Sequence, residues 1–444
     1  MKLAFVENRY KTLFWEALAD ELAMLGCSVI WIVQNPVFTP RRDNVYIMPF
    51  PRRAELSVDN AVSGLDHLRR ADRNINYFSG NDRHYAYYQR LINAWLDRER
   101  PDLVVGESTL FHELLMIECC RERGIPYLHP SMPGYPGGRY SVYIYDSKET
   151  LGQSADTPTA QECLALAEAI RKRERVPDYM QAPSAETDAP AYHAPRSLSD
   201  RLIILRGYLS GERFNTPAPW RKVWLDLGVK RRLKDWAQIA RRPSDHAPGV
   251  RYALYPLQMQ PEANLDVWGQ RFQDQAQLVI QLADALPDGW HLLVKANPKS
   301  KYELSPALMD ALRNHPRVSA VALSEPMGSV LKRTSLVCTV TGTVAVECVL
   351  SGIPLVQFGP GVVTPGVGCA FAEEPSHVGD IASSIDRGTF RLADDSDRIE
   401  LVKRLYTTSY PGKVSDPMHT PGVMASTNMR LVALNLFEVA RTCK

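Results

Sequence analysis

Hydrophobic and polar positions follow a repeating order along much of this chain. Residues 3–6 (LAFV) form a short, wholly apolar run, the pattern of a strand covered on both faces. A polar turn, Asn8 to Thr12, precedes residues 13–25, where apolar side chains recur at helical spacing until Gly26, a helix-stop residue. Ser28 to Val33 is the next apolar run. Strand, helix, glycine and strand in this order predict a parallel α/β sheet. The order returns with a strand at 103–105, a helix at about 110–123 ended by Gly124, and a strand at 126–129. It lapses over 151–249, apart from a short helix near 159–173 and a Pro/Ala/Ser-rich stretch, 182–196, that reads as a loop. It resumes at Tyr252 and continues to about residue 405, with strands at 252–257, 291–294, 336–340 and 355–358. A turn-rich segment, 411–426, leads into a last helix at about 427–441.

A chain of 444 residues exceeds one ordinary core. The expected organisation is an α/β fold of two Rossmann-like domains. Residues 1–245 form the first, with a helical insert over about 151–245. Residues 246–410 form the second, and 411–444 a tail whose helix crosses back onto the first. No GxGxxG follows the first strand, which excludes a dinucleotide fingerprint there. Hydrophobic content of 45% with 23% charged residues is that of a globular protein, and a net charge of +2 gives no general argument for nucleic-acid binding. The eight cysteines show no CxxC or metal-site spacing, which fits a reducing compartment. The start, MKLAFVENRYK, lacks a long apolar segment, and no apolar run reaches the roughly 18 residues that span a bilayer. The expected location is cytoplasmic, at most peripheral on the inner membrane.

Candidate chemistry concentrates between Tyr255 and Pro298. The strand ending at Leu257 runs into a loop carrying Gln258, Gln260, Glu262, Asn264 and Asp266, and the strand at 291–294 ends in Lys295-Ala296-Asn297-Pro298. Open α/β sheets bind ligands at the carboxyl ends of their strands. A second concentration lies at 336–358, where a strand leads into Thr341-Gly342-Thr343 and a helix bearing Glu347, closed by Gly352. Hydroxyls and backbone N–H groups at a helix start suit an anion, and Glu347 shares a face with Thr343, where it can accept ribose hydroxyls. The plainer reading makes the threonines N-caps and Glu347 a partner of the helix dipole. The same plainer reading makes Asp266 only a helix cap and Glu107 only a first-turn acid.

The series YPLQMQPEANLD, F-x-D-Q, LP, VKANP and TGTVAVECVLSGIPLV resembles the capsule polysaccharide biosynthesis family, GT-B-type glycosyltransferases that include Kdo transferases using CMP-Kdo. The resemblance covers residues 250–360 well and the first 150 loosely, and does not cover the insert. It implies a GT-B-like fold with a cleft between the domains. The family's Lys-x-His-Pro position falls on Lys295, Ala296, Asn297 and Pro298, implying contact with the nucleotide, and its Ser/Thr and Glu motif on Thr341, Thr343 and Glu347, implying contacts to phosphate and ribose. The loop bearing Gln258 and Gln260 would face the donor sugar. Asp266, or Glu262, matches the carboxylate nucleophile of a retaining transfer, with Glu107 as acid/base. Lys295 or Arg139 would balance the sugar's carboxylate, and Asn8 and Arg9 lie where the acceptor approaches. Asn297 and Gln258 replace family histidines, which leaves the donor nucleotide open.

The reading is a glycosyltransferase that moves Kdo or a related ulosonic acid from a CMP-sugar to a surface polysaccharide. The alternatives are a UDP-sugar transferase or epimerase of the same fold, and a catalytically inactive glycan- or nucleotide-binding partner. No DxD-type motif stands out, so neither a metal nor a cofactor beyond the nucleotide sugar is expected. Between Arg201 and Arg242 there are eleven Lys/Arg against three Asp/Glu, interleaved with Trp220, Trp224, Leu227 and Trp236. This segment reads as a solvated helical face, a contact with anionic lipid, or a seat for an acidic lipid-linked glycan.

Overall fold

A computed structural model describes residues 1–56, 64–180, 198–241, 249–297, 300–364 and 366–443. The loop expected over 182–196, and Pro298 among the candidate site residues, lie outside the described residues. The chain divides into two compact units. The first comprises Met1–Asp156, Pro177–Lys222 and Tyr406–Lys444, the second Thr157–Val176 and Val223–Leu405.

Strands β1 (Lys2–Val6), β2 (Ser28–Val33), β3 (Val45–Ile47), β4 (Leu103–Val105), β5 (Tyr127–Ser131) and β6 (Arg139–Ile144) belong to the first unit. β7 (Arg251–Pro256), β8 (Trp290–Lys295), β9 (Val318–Ala320), β10 (Leu336–Thr339), β11 (Leu355–Gln357) and β12 (Cys369–Phe371) belong to the second, and β13 (Tyr410–Pro411) returns to the first. The first sheet has the order β13-β6-β5-β4-β1-β2-β3. It is parallel from β3 through β5, while β6 and β13 are antiparallel additions at one edge. The second sheet, β12-β11-β10-β7-β8-β9, is parallel throughout. Each is doubly wound, because the chain builds outward from its first strand in one direction and then in the other. Strand order reverses between β1 and β4 in the first sheet, and between β7 and β10 in the second. The crevice beyond the strand ends at such a reversal is where open α/β sheets take ligands.

Each unit has its own core. In the first, Phe14, Trp15, Leu18 and Leu22 of the Thr12–Met24 helix pack with Met429, Val432, Leu436 and Val439 of the Ser426–Thr442 helix. Burying such side chains contributes about 1.5–3 kcal/mol each before entropy is counted. The last helix thus packs on the first unit. Gly26, at φ +84°, takes the left-handed conformation that ends the Thr12–Met24 helix.

The division differs from the expected boundaries in three places: 157–176 and the chain from 223 join the second unit, and the return to the first comes at 406 rather than 411. The Ala160–Arg171 helix turns Cys163, Ala167 and Ile170 inward and packs against the Val344–Ser351 helix of the second unit. The insert forms two helices, Leu198–Ser210 and Pro219–Ile239. Buried Trp236, on the second of these, joins the second core, with Leu233 and Ile239 packed against it, and donates to Val321 O at 3.0 Å. Apolar faces, more than charge, decide which unit each segment joins.

Candidate functional site

In the second unit, the chain leaving β7 is held by one buried side chain, Gln275, near the start of the Gln275–Ala285 helix. Its Oε1 accepts from Gln258 N at 2.9 Å and from Tyr255 Oη at 3.0 Å. Its Nε2 donates to Gln258 O at 2.8 Å and to Gln260 Oε1 at 2.9 Å. Asp274 Oδ1 caps this helix by accepting from Gln277 N, so the cap falls on Asp274 rather than on Asp266. Asp266 closes the loop instead. Its Oδ1 accepts from Gln260 Nε2 and Gln273 Nε2, both at 3.0 Å, and its Oδ2 accepts from Glu262 N at 3.1 Å. Three donors thus meet this buried carboxylate. Both of its oxygens are engaged, which suits a positioning group better than an attacking one. Glu262 is exposed, with Asn264 Nδ2 donating to Oε2 at 3.3 Å.

At the reversal point the β7 loop meets the turn after β10. The hydrogen-bond network sets the Gln258 amide with its oxygen accepting from Thr341 N at 2.8 Å and Gly342 N at 3.0 Å, and its nitrogen donating to Thr341 Oγ1 at 3.2 Å. Thr341 Oγ1 then donates to Asn264 O at 2.6 Å. The two N–H groups expected to meet an anion therefore already hold a neutral oxygen. A side chain at Gly342 would place its Cβ 2.8 Å from Thr339 Oγ1, so the turn requires glycine. Thr343 is the N-cap residue of the Val344–Ser351 helix but makes no side-chain cap. Glu347 is buried and its Oε2 pairs with Arg173 Nη1 at 2.6 Å. One oxygen of the carboxylate expected to hold ribose is thus taken by an arginine that lies in no recognised motif.

Lys295 ends β8, buried, with Nζ donating to Ala322 O at 3.3 Å. Burial pushes its ammonium below the ordinary lysine range, against the opposing pull of Glu325. Asn297 O accepts from Ser300 N at 2.9 Å. Buried Glu303 ties this second loop to the first, its Oε2 accepting from Lys301 N at 2.9 Å and Gln260 N at 3.3 Å.

Asn8, Arg9, Glu107 and Arg139 belong to the first unit. Asn8 and Arg9 follow β1 and Glu107 follows β4, at that sheet's reversal point. Asn8 Nδ2 donates to Glu113 Oε1 at 2.8 Å, and Arg9 Nη2 reaches Asn215 O and Thr216 Oγ1, pinning the segment before the Pro219–Ile239 helix. Glu107 lies between Lys11 Nζ on Oε1 and His129 Nε2, 3.2 Å from Oε2. Burial raises its pKa, but the charges of Lys11 and His129 outweigh burial and hold it at about 2. Such a carboxylate stays ionised at neutral pH, so of the acid/base role expected of it this state offers the proton-accepting half. The first-turn acid of the Phe111–Glu122 helix is Glu113, whose Oε2 accepts from Leu110 N at 2.8 Å. Arg139 is buried between Asp156 Oδ2 at 2.6 Å, Ser409 Oγ at 2.9 Å and the Tyr406 ring. This guanidinium, expected to meet a sugar carboxylate, holds the returning chain.

No protein-family model matches the chain, and no curated protein matches it. Among solved structures it is similar to Thermosulfurimonas dismutans KpsC, beta Kdo 2,7 transferase, with 9% identity, a TM-score of 0.39 and both chains covered in full. It is similar to the calicheamicin glycosyltransferase CalG4 with 16% identity, a TM-score of 0.28 and coverage of 99% and 98%. It is also similar to Methanocaldococcus jannaschii UDP-GlcNAc 2-epimerase in complex with UDP-GlcNAc and UDP, with 11% identity, a TM-score of 0.30 and coverage of 91% and 99%. All three TM-scores lie below 0.5, so the functional reading rests on this chain's own residues.

Proposed function

We propose that this chain is a glycosyltransferase that takes its sugar from a nucleotide-activated donor, with Kdo or a related ulosonic acid on CMP as the donor and a bacterial surface polysaccharide as the acceptor. The observation that carries the reading is the seat at the second sheet's reversal point, where the Gln258 amide oxygen rests on the N–H groups of Thr341 and Gly342. A donor phosphate oxygen would take the place of that amide oxygen, with Thr343 beside it and Lys295 at the neighbouring strand end supplying positive charge. Because burial disfavours the Lys295 ammonium, an arriving anion restores it, and affinity should weaken as alkaline pH removes that proton. Glu262 is the carboxylate proposed to attack the anomeric carbon, expelling the nucleotide with the bonding electrons. Asp266 holds Glu262 through its backbone N–H.

The locked Asp266 also favours a second reading, in which the chain binds a nucleotide sugar without turning it over. One experiment separates the two. The protein is incubated with CMP-Kdo and, separately, with UDP-GlcNAc, and nucleotide release is followed. The first reading predicts CMP release that falls at least about a hundredfold in Glu262→Gln. Consumption of the UDP-sugar alone would move the donor class, and saturable binding without any release would leave the second reading standing.

A further inference from the structure

The Pro219–Ile239 helix is partly buried along one face and exposed along the other. Trp236 fixes its inner face, wholly buried in the second core. On the outer face Trp220 is 64% exposed, Val223 58%, Trp224 73% and Leu227 50%. Exposed Lys230, Arg231 and Lys234 continue the same line. Positions 220, 223, 224, 227, 230, 231 and 234 recur every three or four residues, so they form one stripe along the helix, apolar and aromatic in its first half and cationic in its second. Of the two acids on this helix, Asp235 pairs with Arg313 at 3.6 Å, and Asp226 lies beside the stripe.

Two tryptophans this exposed lose the benefit of burial in water, whereas indole rings settle well at the boundary between lipid headgroups and acyl chains. Cations beside them match a negative surface. Among the described residues no helix is long and apolar enough to cross a membrane, so the stripe suits lying on a bilayer rather than spanning one. The Leu198–Ser210 helix repeats the pattern, with Leu202, Leu205 and Leu209 exposed around Arg206, while its Gly207 faces Val37.

We propose that the outer face of the Pro219–Ile239 helix docks on an anionic lipid bilayer, with Trp220 and Trp224 entering the headgroup region and Lys230, Arg231 and Lys234 meeting lipid phosphates. The proposal does not depend on the nucleotide-sugar reading. The full chain is sedimented with phosphatidylcholine vesicles and with vesicles in which phosphatidylglycerol replaces part of that lipid. Binding is expected only to the anionic vesicles, weakening as salt rises, with a blue shift of tryptophan fluorescence. Each lysine or arginine near such a surface is worth roughly fivefold in partitioning, so reversing all three (K230E, R231E, K234E) should cost at least about a hundredfold. Trp220→Ala with Trp224→Ala should cost roughly tenfold. Both variants should keep wild-type thermal unfolding, because these side chains are exposed. Equal binding to both vesicle types, binding that survives both variants, or a lipid-free dimer that the tryptophan variant dissolves would overturn the proposal.

Discussion

Glu107 shows how far burial and pairing can change a residue's role. A glutamate at a strand end reads as an acid/base group from its position. Its partners, Lys11 and His129, make it a fixed anion instead. Neither pairing is visible in the sequence, because the three positions meet only through the order of β1, β4 and β5. The pairing has a pH signature. The folded pKa of about 2 lies below the ordinary 4.5, so the stabilisation is complete above the ordinary value and is lost as pH falls toward the folded one. The shift corresponds to about 3 kcal/mol. Urea unfolding should therefore separate wild type from Glu107→Gln by roughly that amount at neutral pH, with the gap closing as pH falls from about 5 to 2. A gap independent of pH would remove the ion-pair account.

The loop between β7 and the Gln275–Ala285 helix owes its shape to polar contacts more than to an apolar core. Its glutamines and acids were legible as a cluster, and the F-x-D-Q run that supplies Gln275 was visible. Which glutamine turns inward was not, since helix periodicity marks apolar faces and says nothing of a buried amide. Gln275 provides four hydrogen bonds to Tyr255, Gln258 and Gln260. Removing it leaves buried donors and acceptors without partners. Gln275→Leu should cost about 2–4 kcal/mol in denaturant unfolding and weaken nucleotide binding. Exposed Gln277, two residues along the same helix, should tolerate the same change within about 0.5 kcal/mol. Equal effects at the two positions would show that the clamp does not set the loop.

For the whole molecule, the alternation of apolar runs was enough to anticipate two α/β sheets, and the polar strand ends marked where to look for chemistry. The order of strands within each sheet was not legible, because an apolar run does not name its neighbours. Nor were the short segments that change unit, such as 157–176, whose few inward apolar positions show their partner only when folded. The return of the chain at Tyr406 gives a direct check on this division. Truncation after Leu405 removes Val432, Leu436 and Val439 from the first core and leaves the described strands of the second unit whole. Hydrogen exchange should then quicken at β1, β2 and β4 and remain slow at β7, β8 and β10; uniform loss of protection would mean that the units do not fold as divided.

The central claim is that residues 258–266, 295–297 and 341–347 form a nucleotide-sugar seat. Hydrogen–deuterium exchange of the intact chain with saturating CMP, UDP or neither tests it most directly. Slowed exchange confined to these three segments, with CMP the stronger ligand, is the result predicted. The same exchange with and without both nucleotides, or protection confined to other segments, would contradict it.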